Sequence, residues 1–314
     1  MTGKGGTGKT TVAAALALAL AADGRRTLLV EVEQRQGIAQ VFDRAPLPYV
    51  ERQIATGYPG KASGGGGEVF ALAVDVEEAL LEYLDMFYKL GRAGKVLRRF
   101  GAIDFATTVA PGVRDVLLTG KVKEAVTRTA QGRRVYDAVI LDAPPTGRIG
   151  RFLNVTAETA RLTKLGPIKT QSEGVAAVLR SPVTCVHLVT MLEEMPVQET
   201  VDAAAELQRL EIPVGTIIVN ATTPPLLSEG RATKAEVRRG LVAAGLPSDG
   251  PLVAGLVAEA RTHLARSRVE DELRGELQTL GRPLVELPTI YGGVGMAELY
   301  MMAGVLIGHR GDLP

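Results

Sequence analysis

The stretch Met1–Thr11, MTGKGGTGKTT, decides the fold. Gly3 to Thr10 fit G-x-x-x-x-G-K-[ST], a loop whose backbone N–H groups cradle phosphates. The backbone of Gly3, Lys4, Gly5, Gly6, Thr7 and Gly8 is expected to form that cradle. Lys9 then reaches the β- and γ-phosphates, and the Thr10 hydroxyl holds Mg²⁺. Lys4 is not needed by a plain phosphate loop and calls for its own explanation. Thr10 to Ala22, TTVAAALALALAA, is an unbroken run of helix formers. Such a loop must open a helix whose N-terminus faces the anion. A flexible glycine-rich terminus would not predict that helix.

A nucleoside triphosphatase also needs a second anchor for Mg²⁺, an acid ending an apolar strand beside the loop. Asp142 in AVILDAPPTG meets that description, with its carboxylate reaching the metal through water. Gly147 follows five residues later, and its backbone N–H is placed to sense a γ-phosphate. Ala143 to Arg148 then form a loop with two states.

Outward from these motifs, short β-branched runs alternate with longer helical stretches. Buried strands are expected at Thr27–Val32, Val69–Val74, Ala138–Asp142, Thr184–Thr190, Thr216–Asn220, Val253–Val257 and Leu284–Leu287. Continuous rather than alternating apolarity points to parallel strands covered on both faces. The fold class is therefore α/β, a P-loop domain with a doubly wound, mostly parallel sheet over residues 1–314. Val76, Leu80, Leu84 and Phe87 stripe one helix opposite Glu77, Glu78, Glu82 and Asp85. Residues 76–130 read as a helical subdomain inserted into the sheet, broken at Gly91, Gly94 and Pro111-Gly112. Ser63 to Gly67 read as a flexible connector. Arg92, Lys95, Arg98 and Arg99 read as a solvated helix face.

Composition bounds the function. With 314 residues, 46% hydrophobic and 23% charged, the chain is an ordinary globular protein. A net charge of +1 argues against a broad nucleic-acid footprint. Cys185 is the only cysteine, so no intrachain disulfide forms and a cytoplasmic location is the simple expectation. Within TCVHLVT it reads as a small buried hydrophobe. No apolar run reaches the ~20 residues that span a bilayer. His187, His263 and His309 are isolated, with no metal-binding spacing.

GKGGTGKTT, DAPPTGRIGRFL, MLEEMPVQET and IIVN, in this order, resemble the arsenite-pump ATPase family, which includes the ATPase that targets tail-anchored membrane proteins. The resemblance covers nearly the whole chain and implies ATP and Mg²⁺ as ligands. It implies that Lys4 is the signature lysine that reaches across a dimer interface to the partner's nucleotide. Thr11 would touch the α-phosphate, Asn220 would read adenine, and Pro288 to Tyr291 would wrap the other side of the base. The sequence also departs from the family. Where the family has S-T-D-P-A-H, this chain has EVEQRQ, placing Glu33 at the position of the aspartate that orients the attacking water. Arg148 stands where the family has histidine. One cysteine cannot build a metalloid site or an intersubunit zinc site. Thirty residues separate Leu153 from Thr184, a shorter insert than the one that walls the client groove of the targeting ATPase.

The expected function is a dimeric Mg-dependent ATPase, a homodimer or a heterodimer with a paralogue. Its nucleotide state would open and close a surface for a protein or membrane-associated client. Leu80 to Tyr88, Val113 to Leu118 and Tyr300 to Leu306 are candidate lining. A Min- or Par-type positioning ATPase is the alternative, disfavoured because AELYMMAGVLIGHRGDLP lacks a basic face. A nucleotide-binding module with weak hydrolysis is another. Peripheral contact with a membrane is compatible with the first reading. Finally, the phosphate loop of this fold follows a buried strand, yet only Met1 and Thr2 precede Gly3, against a usual strand of ~5–6 residues. The chain as given is expected to start too late, inside that strand; a GTG valine codon read as a start is one simple cause.

Overall fold

Thr2–Gly3 form β1 and lead straight into the loop that opens α1, Lys9–Leu20. The computed structural model describes residues 1–60, 65–88, 111–160, 167–223 and 233–309. After α1 and a short 3₁₀ turn come β2 (Arg26–Glu31), α2 (Gly37–Val41), β3 (Arg52–Thr56) and β4 (Glu68–Ala73). Helices α3 (Val76–Tyr88) and α4 (Pro111–Thr127) precede a small hairpin, β5 (Thr129–Ala130) and β6 (Arg133–Arg134). Then follow β7 (Ala138–Asp142), α5 (Thr146–Leu153), α6 (Val155–Ala160), α7 (Pro167–Leu179) and β8 (Val186–Thr190). The chain continues through α8 (Glu194–Arg209), β9 (Val214–Thr222), α9 (Lys234–Ala243), α10 (Gly250–Gln278), β10 (Leu284–Pro288) and α11 (Met296–Gly308).

The main strands form two four-stranded sheets, β3-β4-β2-β7 and β1-β8-β9-β10. Every pairing in them is parallel except β3 with β4. Helices cover both faces, as a parallel sheet requires. On one face α1 is buried almost all round and packs against Leu299, Met302, Ala303 and Leu306 of α11. On the other, Phe152 and Ile149 of α5 share one core cluster with Leu80 and Tyr83 of α3, Leu117 and Leu118 of α4, and Leu207 of α8. The carboxyl ends of β2, β7, β8 and β9 therefore carry the loops that receive the glycine-rich segment.

Several expectations are corrected. Val253–Val257 is not a strand but part of the 29-residue α10. Val253 and Val257 are buried one turn apart while Ala254 and Gly255 face outward, a helical period that a five-residue apolar run conceals. Asp249 caps this helix by accepting the Leu252 N–H. The missed strand, β3, is a polar edge whose only buried residue is Ile54, the kind of edge that blunts self-pairing. Gly66 and Gly67 are packed, not a free connector. The Gly67 N–H donates to Ala21 O and its carbonyl accepts from Gly57, while a Cβ on Gly67 would lie 1.9 Å from Arg25 O. Leu80, Tyr83, Leu117, Leu118, Met302 and Leu306, offered as client lining, are core. The basic cluster at 92–99, Ser63, Gly64, Gly91 and Gly94 lie outside the described residues, as does the side chain of Phe87.

Cys185 is half-buried rather than sealed in the core, with Sγ 3.3 Å from His187 Nε2. His187 Nδ1 accepts the Thr216 N–H at 3.1 Å. Burial, with the Met1 ammonium adding to it, pushes the His187 pKa down to about 4. Between there and the ordinary ~6.5 the unfolded chain binds a proton that the native one refuses, so stability is full above pH 6.5 and falls as pH drops towards 4. Over pH 7.5 to 5 the loss from this group is expected to be about 2 kcal/mol. Urea unfolding at the two pH values should show this slope flattened by His187→Gln; equal slopes in both proteins would disprove the assignment.

Candidate nucleotide-binding site

The loop between β1 and α1 is shaped before any ligand arrives. Gly3 lies so close to β8 that a Cβ would sit 2.0 Å from Val189 O. Gly8 has φ +83° and a Cβ there would reach Asn220 Nδ2 at 2.4 Å, so both conformation and space demand glycine. The Lys4 carbonyl gathers the loop, accepting from the Thr7 N–H, from Thr7 Oγ1 at 2.9 Å and from Lys9 Nζ at 3.5 Å. Thr10 and Thr11 lie in the first turn of α1, whose free N–H groups and dipole favour an anion. Burial pulls the Lys9 ammonium below its ordinary pKa, against the pull of Asp142 and Glu33. A polyphosphate beside it would reverse that shift.

Beneath the loop, Thr10 Oγ1 donates to Asp142 Oδ2 at 2.6 Å. Asp142 is 8% exposed, and its other oxygen, Oδ1, is buried with no hydrogen-bond partner. Burial raises the carboxyl pKa, opposed by the Thr10 bond, the Met1 ammonium and Lys9. A buried acceptor without a donor is a strained arrangement that a cation or its water relieves. The residues thus fit Mg²⁺, which Thr10 and Asp142 would anchor.

Lys4 is engaged within its own chain. Its ammonium lies 3.3 Å from Glu199 Oε1 on α8. The other Glu199 oxygen accepts from Thr146 Oγ1 at 2.7 Å. One carboxylate therefore ties the loop's extra lysine to the start of α5, next to Gly147, whose own position is exposed and open. Thr2 Oγ1 donates to Pro144 O at 2.6 Å, a second tie between β1 and the loop after Asp142.

Glu33 lies beyond β2 with 20% side-chain exposure, 3.7 Å from Arg148 and 3.9 Å from Arg35. The two departures noted in the sequence, Glu33 and Arg148, are thus partners. The segment bearing Glu33 is held from below by Glu31. That residue is 3% exposed and accepts the N–H groups of Gly37 and Ile38, both at 3.2 Å. Gln34 and Gln36 take left-handed backbone angles, φ 57° and 56°. Strain of this kind persists only where surroundings enforce it.

Asn220, on β9, donates from Nδ2 to Thr7 O at 3.0 Å, placing its amide against the loop. Pro288 ends β10 opposite Thr222, two positions past Asn220. The structure therefore gathers Lys4, Lys9, Thr10, Asp142, Gly147, Glu33 and Asn220 at one end of the sheet, with Pro288 at the neighbouring strand end. Sequence reasoning missed Glu199 and Glu31. Glu199 falls on the same helix arc as buried Pro196, Thr200 and Ala203, so a charge on an inward face was the available signal. Glu31, an acid inside the run RTLLVEV, was the other.

Comparison with known proteins agrees with this geometry. Residues 1–179, more than half the chain, match the anion-transporting ATPase family. ATPase BagA of Mycobacterium tuberculosis is 52% identical over 312 residues, covering 96% of this chain and 90% of that protein. ATPase GET3 of Kluyveromyces lactis is 25% identical over 267 residues, 74% of each chain. The arsenical pump-driving ATPase of Acidiphilium multivorum is 27% identical over 255 residues, covering 75% of this chain and 41% of that protein. The chain belongs to the anion-transporting ATPase family.

Proposed function

We propose that the protein is a Mg-dependent ATPase that acts as a dimeric nucleotide switch and couples hydrolysis to the handling of a protein or membrane-associated client. The observation that carries this reading is the Thr10–Asp142 pair beneath a preformed phosphate cradle, with Asp142 Oδ1 left for a metal-bound water. Mg²⁺ would be held by Thr10 and Asp142 and would neutralise phosphate charge. Lys9 serves the β- and γ-phosphates of its own chain, Thr11 the α-phosphate, and Asn220 and Pro288 the adenine. The protein acts in the cytoplasm, with any membrane contact peripheral. Among the described residues no helix is long and apolar enough to cross a membrane. The likeness to the arsenical pump-driving ATPase does not extend to a metalloid ligand here, because one cysteine supplies too few thiolates.

Lys4 is given the trans role. In the free chain it rests on Glu199; in the dimer it would leave that carboxylate for the partner's phosphates, a charge clamp of the arginine-finger kind. Glu199 would then hold Thr146 alone, keeping the start of α5 tied beside Gly147. Glu33 orients the attacking water, and Arg148 holds the longer glutamate side chain in place.

Three measurements test this. Lys9→Ala is expected to abolish ATP binding, while Lys4→Ala keeps binding and loses turnover; equal loss of affinity in both would remove the trans role. Glu33→Gln should lower turnover by more than about fivefold, the ~1 kcal/mol of a water-positioning contact. Arg148→Ala should lower it as well, and the double variant should lose less than the product of the two. Strict multiplication would mean that the two residues act apart. Glu199→Gln should raise ATP-dependent dimerisation about two- to fivefold, the scale of a half-exposed ion pair. Weaker dimerisation in this variant would instead make Glu199 a positioning residue for the closed state.

A further inference from the structure

Helix α9 stands apart from the core. None of its residues is buried, and among the described residues it packs against α10. The turn that joins the two helices is nonetheless fixed by hydrogen bonds. At the end of α9 the Leu246 N–H donates to Leu241 O at 2.9 Å and the Gly245 N–H to Val242 O at 3.1 Å. Gly245, at φ +68°, permits this reversal, and the Ala244 N–H takes up Gly240 O. At the start of α10, Asp249 accepts the Leu252 N–H at 3.0 Å through its side chain and the Val253 N–H at 3.1 Å through its carbonyl. Pro251, in the same first turn, has no N–H to satisfy.

This ordered turn presents apolar side chains to solvent. Val242, Leu246 and Leu252 are 62%, 55% and 39% exposed, with Ala243, Pro247 and Ala254 exposed beside them. From Gly240 to Ala258 the chain carries one charge, Asp249. Charge returns on both arms at a similar height, as Arg238 and Arg239 on α9 and as Glu259 and Arg261 on α10. At a rise of 1.5 Å per residue these lie roughly 10–14 Å along the helices from Leu246 and Leu252. Glu236, the acid of α9, is folded into a capping box with Thr233. The collar is therefore net positive, with Arg238, Arg239 and Arg261 set against Glu259.

An apolar turn beneath a basic collar fits an anionic bilayer. The lipid interface takes apolar side chains to a depth of ~5–10 Å. That depth leaves the arginines level with the headgroup phosphates, where their long side chains reach outward. Lowering a helix end into this layer is costly where backbone groups lose their water, and at this turn they are largely paired within the chain. We propose that the α9–α10 turn docks the protein on an anionic lipid surface, with Val242, Leu246 and Leu252 at the acyl boundary and Arg238, Arg239 and Arg261 on the headgroups. Asp249 opposes the docking, being the one charge carried into the interface. The proposal goes beyond the ATPase reading and does not rest on it.

The chain has no tryptophan, so Leu246→Trp places a single reporter in the turn. With vesicles of phosphatidylcholine and phosphatidylglycerol in equal parts, its emission is expected to shift to the blue and to be quenched by brominated lipid. Val50→Trp, at a comparably exposed position before β3, should do neither. Co-sedimentation of the full chain should fall at least about fivefold on pure phosphatidylcholine, the scale of one basic residue near an anionic surface. Replacing Arg238 and Arg239 together by glutamine should lower binding to the mixed vesicles by at least as much. Leu246→Asp combined with Leu252→Asp should abolish it, whereas Asp249→Asn, which keeps the helix cap, should strengthen it about two- to fivefold. An unshifted Leu246→Trp, an equal shift at Val50→Trp, or vesicle binding that survives both aspartates would overturn the proposal. A fall in molecular mass by light scattering in the double aspartate variant, without vesicles, would also overturn it and make the turn an interface between copies. No nucleotide enters these measurements, so they stand or fall apart from the ATPase assays.

Discussion

The hydrogen bond from Thr10 to Asp142 is the constraint on which the rest of the site depends. It joins the first turn of α1 to the end of β7, two elements 132 residues apart in sequence. With that bond in place the helix N-terminus points at the strand ends, and Lys9 stands above an acid whose second oxygen is unsatisfied. The flanking acid, Glu31, pairs in register with Asp142 but spends both oxygens on the backbone of α2. Two neighbouring buried carboxylates thus have separate tasks, set by what each accepts. Glu31 builds the wall, and Asp142 keeps one oxygen without a hydrogen-bond partner.

The paired departures at Glu33 and Arg148 are consistent with one another. A glutamate is one methylene longer than an aspartate and has more rotamers to lose on being fixed. A guanidinium 3.7 Å away narrows that choice, although it is itself 59% exposed and so contributes little to folding stability. In the proposed hydrolysis its effect would be on the position of Glu33 rather than on the fold. Small errors of position weigh heavily in a reaction that is mostly alignment.

Much of the fold was legible because parallel strands buried on both faces leave continuous β-branched runs; β7, in particular, has the bounds read from AVILD. The Val253–Val257 run was misread because a short apolar stretch does not reveal its period until the flanking Asp249 cap and Pro251 are weighed with it. β3 was invisible because an exposed edge strand needs no apolar pattern. At the site, the glycine-rich loop and Asp142 stood out in the sequence by their own patterns, a phosphate-loop spacing and an acid ending an apolar strand, whereas Asn220 was named only through the family resemblance. Glu199 could not be assigned, because its partners Lys4 and Thr146 lie 195 and 53 residues away and only the packing of α8 brings them together.

The shared carboxylate of Glu199 has a consequence for how the resting state answers its surroundings. Its two oxygens hold different kinds of partner: a partly exposed ammonium on one, and a buried neutral hydroxyl on the other. Ions in solution screen the first over a Debye length of about 8 Å at physiological strength, and leave the second nearly untouched. Raising ionic strength therefore unfastens the lysine while the start of α5 stays tied. The two ends of one latch respond to different signals, salt for the P-loop lysine and local rearrangement for the loop after Asp142.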